Sequence, residues 1–546
     1  MKHLLLAMLL SIAAMAPLSS AQVITPVAAI QTTSGQIEGK LLPSGVKAWF
    51  GIPFAMPPVQ GLRWKPPQPY HWNGLWHADR KMPECIQVLR PHNINHYFGE
   101  EATSEDCLYM NIWAPAGSTT ESHLPVIVFI YGGGLTIGSS SPALYSGETL
   151  AQHGVVYVNF NYRVGIIGFM AHPELTHEQG GHSGNYGYLD QNAALKWIHD
   201  NIARFGGDPA RITLGGQSAG AGSVTAQTFS PLSKDLFQRA FYSSGCNWSS
   251  NWTPLAEGES IGVKVQQGLG AADLQAMRQV PADRILALQS ETQVMANRQG
   301  IRVGPVIDGY FIPGLPGTLL EHRQFNDVPT IATSNQEDLD YDSSPLTKAK
   351  TAAEYEAVAR KMYGAAADEF LKLFPVTDAN VRQIAGRVAR DAGMQGSARE
   401  CARLQAMYGH GEAHTYLSLF DHKHPYITGV HIADQDPATV GSYHTSDLPY
   451  WFSTLDALNS VRPTREWTDA DQQLSNTMRG MLIAFAATGR PSAAALQWSA
   501  WSQGHEQRAV FSVPVRIEPL DAKRMSWLAA HPAAHIAPPA PARARD

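Results

Sequence analysis

A chain of 546 residues, 44% of them apolar and 16% charged, has enough material to bury a large core, and its composition is that of a soluble globular protein. A formal charge of −6 gives no basis for a nucleic acid or an anionic membrane as partner. From the N-terminus, Lys2 and His3 precede an apolar run from Leu4 to Ala16, and Pro17 to Ala21 offers the small residues a signal peptidase reads. That run is shorter than the roughly 20 residues of a spanning helix, and nothing later resembles a span. Residues 1–21 are therefore expected to be a cleaved secretory signal and the protein to be secreted or periplasmic.

Thr32 to Trp49 reads as a hairpin-rich opening, followed by an irregular Pro-rich connector from Gly51 to Pro69. Val126 to Ile130 is a β-branched run ending in Gly132-Gly133-Gly134, and Val155 to Phe160 is a second strand. Leu189 to Ile202 carries apolar residues at helical spacing. Short strands follow at Ile212 to Leu214 and Ala240 to Ser243, with Val328 to Ala332 further on. The alternation predicts an α/β fold with a mixed, mostly parallel central sheet flanked by helices. Roughly 254–440 reads as helical insertions within one domain covering 22–528. Thr468 to Thr488 reads as a long helix with Thr468 as N-cap and Gly489 as its stop. The Ala/Pro/His-rich tail, 529–546, has too few large apolar groups to pack and is expected to be disordered.

Gly216-Gln217-Ser218-Ala219-Gly220 fits G-x-S-x-G. A serine forced into a sharp strand-to-helix bend needs small neighbours two residues away on each side, and the bend lifts its hydroxyl above the sheet. Ile212-Thr213-Leu214 supplies the strand, and Ala221 to Thr228 can continue as the helix. Four cysteines in an exported chain permit disulfides, and spacing alone leaves every connectivity open. Cys85 and Cys107 would close a short loop; Cys246 and Cys401 would close a long one or stay as buried thiols.

Phe205 to Pro209 followed by Arg211 to Gly220 resembles the serine signature of the type-B carboxylesterase family, which includes the cholinesterases. Ser104 to Pro115 resembles the family's second signature, and Gly51 to Ala55, Leu62 to Trp64 and Gly184 to Gln191 also match. The resemblance runs from about Thr32 to Trp501 and implies an α/β-hydrolase with helical insertions around an active-site gorge. It implies Ser218 as nucleophile, with Gly133, Gly134 and Ala219 as the backbone donors of an oxyanion hole. Gly441-Ser442-Tyr443-His444 resembles the histidine motif, so His444 is the implied base. Val328 to Asp338 resembles the strand and loop that end in an Asp-Glu-Gly triplet, whose acid falls on Asp338. The chain reads Glu337-Asp338-Leu339 there, which leaves Glu337 and Asp340 as alternatives. Cys85 and Cys107 match the family's first disulfide, and Cys246–Cys401 is the candidate second pair.

The implied activity is a serine carboxylic ester hydrolase working through an acyl-enzyme on small-molecule esters. Gln217 stands where cholinesterases carry a glutamate, and the Cys85–Cys107 loop holds no Trp, so cationic choline esters are disfavoured against neutral or aromatic, even bulky, ones. An acyltransferase or amidase with the same triad, or a non-catalytic binding module on the same fold, are the alternatives. His410 and His414 are spaced i, i+4 with His422 and His424 nearby, but no matching acidic or cysteine set accompanies them, so no metal is expected. Neither a dinucleotide fingerprint nor a Walker loop is present, and no cofactor is expected. Oligomeric state is not legible.

Overall fold

The computed structural model describes residues 25–88, 95, 101–293, 301–411, 414–491 and 496–533. The expected signal segment and most of the expected tail lie outside these residues. The tail's first residues are helical rather than irregular: a helix runs Ala522–Ala530 because Met525, Trp527 and Leu528 are buried along one side of it.

One sheet of 13 strands organises the described chain. In chain order they are β1 (Thr25–Gln31), β2 (Gln36–Leu41), β3 (Lys47–Pro53), β4 (Leu75–His77), β5 (Tyr109–Ala114), β6 (Leu124–Ile130) and β7 (Val156–Phe160). There follow β8 (Gly207–Gln217), β9 (Arg239–Ser243), β10 (Thr330–Asn335), β11 (Thr415–Phe420), β12 (Gln507–Phe511) and β13 (Arg516–Pro519). The spatial order is β1-β2-β3-β5-β7-β6-β8-β9-β10-β11-β12-β13, with β4 paired to β2. Pairing is parallel from β7 across to β12. It is antiparallel from β1 through to β7 on one side and between β12 and β13 on the other. The mixed, mostly parallel sheet read from the sequence is what the chain builds. Strand β1 and the extension of β3 into Gly51–Pro53 go beyond the hairpin expected from Thr32 to Trp49.

The central strands are apolar throughout because both faces are covered. In β6, every residue from Pro125 to Ile130 is buried, and β7 is buried along its whole length. Helices α1 (Tyr186–Asn201), α2 (Ala219–Phe229), α3 (Met394–Tyr408) and α4 (Asp469–Thr488) contribute buried faces. Helix α4 starts where expected: Thr468 and Asp471 form a reciprocal capping box, and Gly489 at φ 76° stops it. A second, smaller core gathers Leu346, Tyr355, Phe370, Phe374 and Val388 against Trp527. It lies within the helical stretch expected at 254–440 and its closing helix.

Strand order fixes where chemistry can occur. After β6 the chain crosses to β7 on one side, whereas β8, on the other side of β6, leads onward to β9. Connections leaving in opposite directions open a crevice at the carboxyl ends of β6 and β8. The Gly132–Gly134 loop follows one of these strands and Ser218 follows the other.

Candidate active site

Ser218 sits between β8 and α2 with φ 56° and ψ −124°, a conformation non-glycine residues seldom hold. The glycines of the motif have a steric reason. A Cβ on Gly216 would stand 2.2 Å from the Gly220 carbonyl oxygen, and one on Gly220 would stand 2.1 Å from that of Ile130. The bend is held by the Ser218 N–H, which donates to the Ser243 carbonyl at 2.8 Å, and by the Gly222 N–H, which donates to the Ser218 carbonyl at 2.9 Å. Gln217 and Gly220 are buried while Ser218 and Ala219 are partly open.

The Gly132–Gly134 loop is pressed against this bend. A Cβ on Gly132 would meet the Gln217 carbonyl oxygen at 2.7 Å and the Ser218 Cβ at 2.9 Å. Gly133 and Gly134 have φ 108° and 64°, which only glycine takes without strain. Among the described residues, the backbone N–H groups of Gly133, Gly134 and Ala219 donate to no carbonyl or side chain. Three N–H groups beside the serine are thus available to an anionic oxygen.

His444 lies on the loop after β11, with its ring in contact at both nitrogens. Nδ1 is 2.5 Å from Asp338 Oδ1, and Nε2 is 3.0 Å from Gln217 Nε2. A carboxylate accepts only, so Nδ1 carries the proton and Nε2 offers its lone pair to the Gln217 amide. Asp338 is 1% exposed and caps the short helix Leu339–Ser343. Its Oδ2 accepts from the Ser244 hydroxyl at 2.6 Å and the Asn335 N–H at 3.0 Å, and its Oδ1 from the Leu339 N–H at 3.0 Å. Burial alone would push the Asp338 carboxyl up, but the His444 ring and these hydrogen bonds hold it below the usual carboxylate range.

The two alternative acids face elsewhere. Glu337 Oε2 accepts from the Ser442 N–H at 2.8 Å, and burial raises its carboxyl. Asp340 Oδ2 accepts from the Met394 N–H at 2.7 Å. Its carboxyl is pushed up to about 7 by burial and by the charge of Asp338.

Residues not singled out from the sequence complete a buried polar network. Asn335 Nδ2 donates to Ser244 Oγ at 3.1 Å and to Asp447 Oδ1 at 3.2 Å. Asp447 also accepts from the Ser243 hydroxyl at 2.9 Å and the Trp451 indole N–H at 3.2 Å. Asn335 and Asp447 each stand three residues from a site residue, Asp338 and His444, inside the two motif stretches that resemble the family's acid loop and histidine loop, but no role was read for either from the sequence. The clustered histidines have other duties: His422 Nε2 is 2.8 Å from Asp471 Oδ1, and His424 Nε2 donates to the Ser446 carbonyl at 2.9 Å.

Cys85 and Cys107 are disulfide-bonded. Cys246 and Cys401 are not: both are free, buried thiols, which corrects the second pairing. The two interact, and burial first, then Cys401, pushes the Cys246 thiol well up. The thiolate that disulfide exchange requires is therefore scarce at this position.

The parallel sheet, the strained serine at its switch point and the acid–imidazole contact define a hydrolase of the α/β-hydrolase class. The chain belongs to the Carboxylesterase family, whose model matches residues 26–520. Fumonisin B1 esterase of Sphingopyxis macrogoltabida is 34% identical over 483 residues, 86% of this chain and 84% of that one. Para-nitrobenzyl esterase of Bacillus subtilis (strain 168) is 29% identical over 90% of this chain and 96% of its own. A solved PNB esterase superposes with a TM-score of 0.73 at 28% identity, covering 92% of this chain and 99% of that one. The protein is a carboxylic ester hydrolase. Among the described residues no helix is long and apolar enough to cross a membrane.

Proposed function

We propose that Ser218, His444 and Asp338 form the catalytic triad and that Gly133, Gly134 and Ala219 form the oxyanion hole. The observation that carries this reading is the ring of His444, held at Nδ1 by Asp338 and touching at Nε2 the residue that precedes Ser218. Ser218 Oγ attacks the ester carbonyl carbon as its proton passes to His444 Nε2. The N–H groups of Gly133, Gly134 and Ala219 hold the oxyanion, and Asp338 balances the charge on the ring. Collapse breaks the ester C–O bond, and the leaving alkoxide takes the proton from Nε2. Water then repeats the sequence on the acyl-enzyme.

The substrate class is neutral or aromatic esters, bulky natural-product or toxin esters included. Gln217 and the Trp-free Cys85–Cys107 loop remove two features that would favour a quaternary ammonium. The fumonisin B1 esterase at 34% identity makes fumonisin B1 one ester to test. Export, secreted or periplasmic, is supported by the Cys85–Cys107 disulfide and by the leader-like first 21 residues. The test is a neutral aryl phosphonate followed by peptide mapping: one adduct, on Ser218, and loss of ester hydrolysis are expected. An adduct on another serine, with Ser218 unmodified, overturns the triad. Hydrolysis rates over phenyl, fumonisin B1 and choline esters test the substrate class, and a preference for choline esters overturns it.

A further inference from the structure

Gln217 ends β8 with no exposed surface, and its side chain is divided between a partner and none. Its Nε2 is 3.0 Å from His444 Nε2. Among the described residues its Oε1 accepts no hydrogen bond, although a buried amide carbonyl normally has a donor. The space it occupies is reserved by Gly132, where a Cβ would stand 2.7 Å from that oxygen.

In the neutral ring Nδ1–H donates to Asp338, and Nε2 accepts from the Gln217 amide N–H. The lone pair that must take the Ser218 proton is therefore already occupied. Once the proton arrives, Nε2–H faces an N–H group, and the contact turns from attraction to repulsion. An amide presents donor and acceptor on arms of nearly equal size, so half a turn about its last bond brings Oε1 to the new proton. The unused acceptor of the resting state is then the one the charged ring needs.

Resting on the triad reading above, we propose that the Gln217 amide is a switching positioning partner of His444. It donates to the neutral ring through Nε2 and accepts from the charged ring through Oε1. The partner on this side of the ring is uncharged in both states. The ionisable groups on its other sides are Asp338 in contact, Asp340 behind it, and Glu337, Tyr443 and Asp447 on the flanking loops. Asp338 is in hydrogen-bond contact with the imidazole at Nδ1 and the neutral amide at Nε2, so both bear on the balance between the two ring states.

The test uses the full chain with Gln217→Glu, which can only accept, and Gln217→Met, which can do neither. The readout is the second-order rate of Ser218 phosphonylation by a neutral aryl phosphonate across pH 5–9, with His444→Gln as reference. Gln217→Met is expected to lower the plateau about tenfold or more, because the ring loses its hold in both states. Gln217→Glu is expected to raise the alkaline-going limb by about one pH unit, because a second anion favours the charged ring. A plateau loss below about threefold in Gln217→Met, or a limb that stays put in Gln217→Glu, overturns the proposal. If Gln217→Met does not fold by its thermal melt, the near-isosteric Gln217→Glu decides alone. Rapid labelling of His444→Gln would instead overturn the triad, and with it the role given to Gln217.

Discussion

Gly441 and Glu337 fit so closely that a Cβ on the glycine would stand 2.2 Å from the carboxylate Oε2. That oxygen accepts the Ser442 N–H, and the Glu337 N–H donates back to the Ser442 carbonyl at 3.1 Å. The histidine loop is thereby clasped two residues before His444. Gly441→Ala is expected to push the carboxylate aside, cost about 1–3 kcal/mol of stability as overpacking does, and lower kcat at least tenfold through a displaced ring. Thermal melts with ester kinetics check it; native kcat in the alanine variant would show that the clasp does not position His444.

Asp338→Asn is expected to lower kcat by about 10³–10⁴ with little change in KM, since the ring loses its counter-charge and its tautomer is no longer fixed. Glu337→Gln keeps an acceptor for Ser442 and is expected to lose less than about tenfold by the same reasoning. The reverse ranking would transfer the acid's role to Glu337.

Asp340 supplies a pH dependence whose sign follows from its environment. Its folded carboxyl is raised to about 7 from an ordinary 3.8. The protonated form is therefore the one the fold favours, and the stability it contributes is complete below about pH 4 and lost as pH rises through about 7. Asp340→Asn keeps a carbonyl for the Met394 N–H and carries no charge. Its Tm is expected to gain on the native protein as pH goes from 4 to 8; parallel Tm curves would contradict this.

Cys246 and Cys401 are buried and the Cys246 thiol is raised, so neither is expected to react with a thiol reagent in the native state. Denaturant without reductant should release two thiols, and reductant two more from Cys85 and Cys107. Fewer than two thiols in denaturant would restore the second disulfide.

The sheet was legible where apolar runs met glycine punctuation, as at Val126 to Ile130 before Gly132. Strand β11 was not, because the only signal in Thr415–Phe420 is its β-branched and aromatic content within a helix-rich stretch. The serine was legible because its bend imposes glycines at fixed spacing. The acid proposed for it was not fully so, since Glu337, Asp338 and Asp340 differ only in where a tight turn aims them. Asp338 is aimed at the ring because it caps the helix Leu339–Ser343. Gln217 was read only as the absence of a negative charge, because a contact between residues 227 positions apart leaves no local trace.

Ser218, Asp338 and His444 follow β8, β10 and β11, strands that lie almost side by side in the sheet, while the stretches joining these strands, β9 apart, run outside it. Those intervening segments bear on the proposed triad only through the few residues that bond to it, such as Ser244 on Asp338. For engineering, a graft between β9 and β10 has to keep Ser244, because its hydroxyl holds Asp338; with that serine retained, the proposed proton relay is expected to stay where it is.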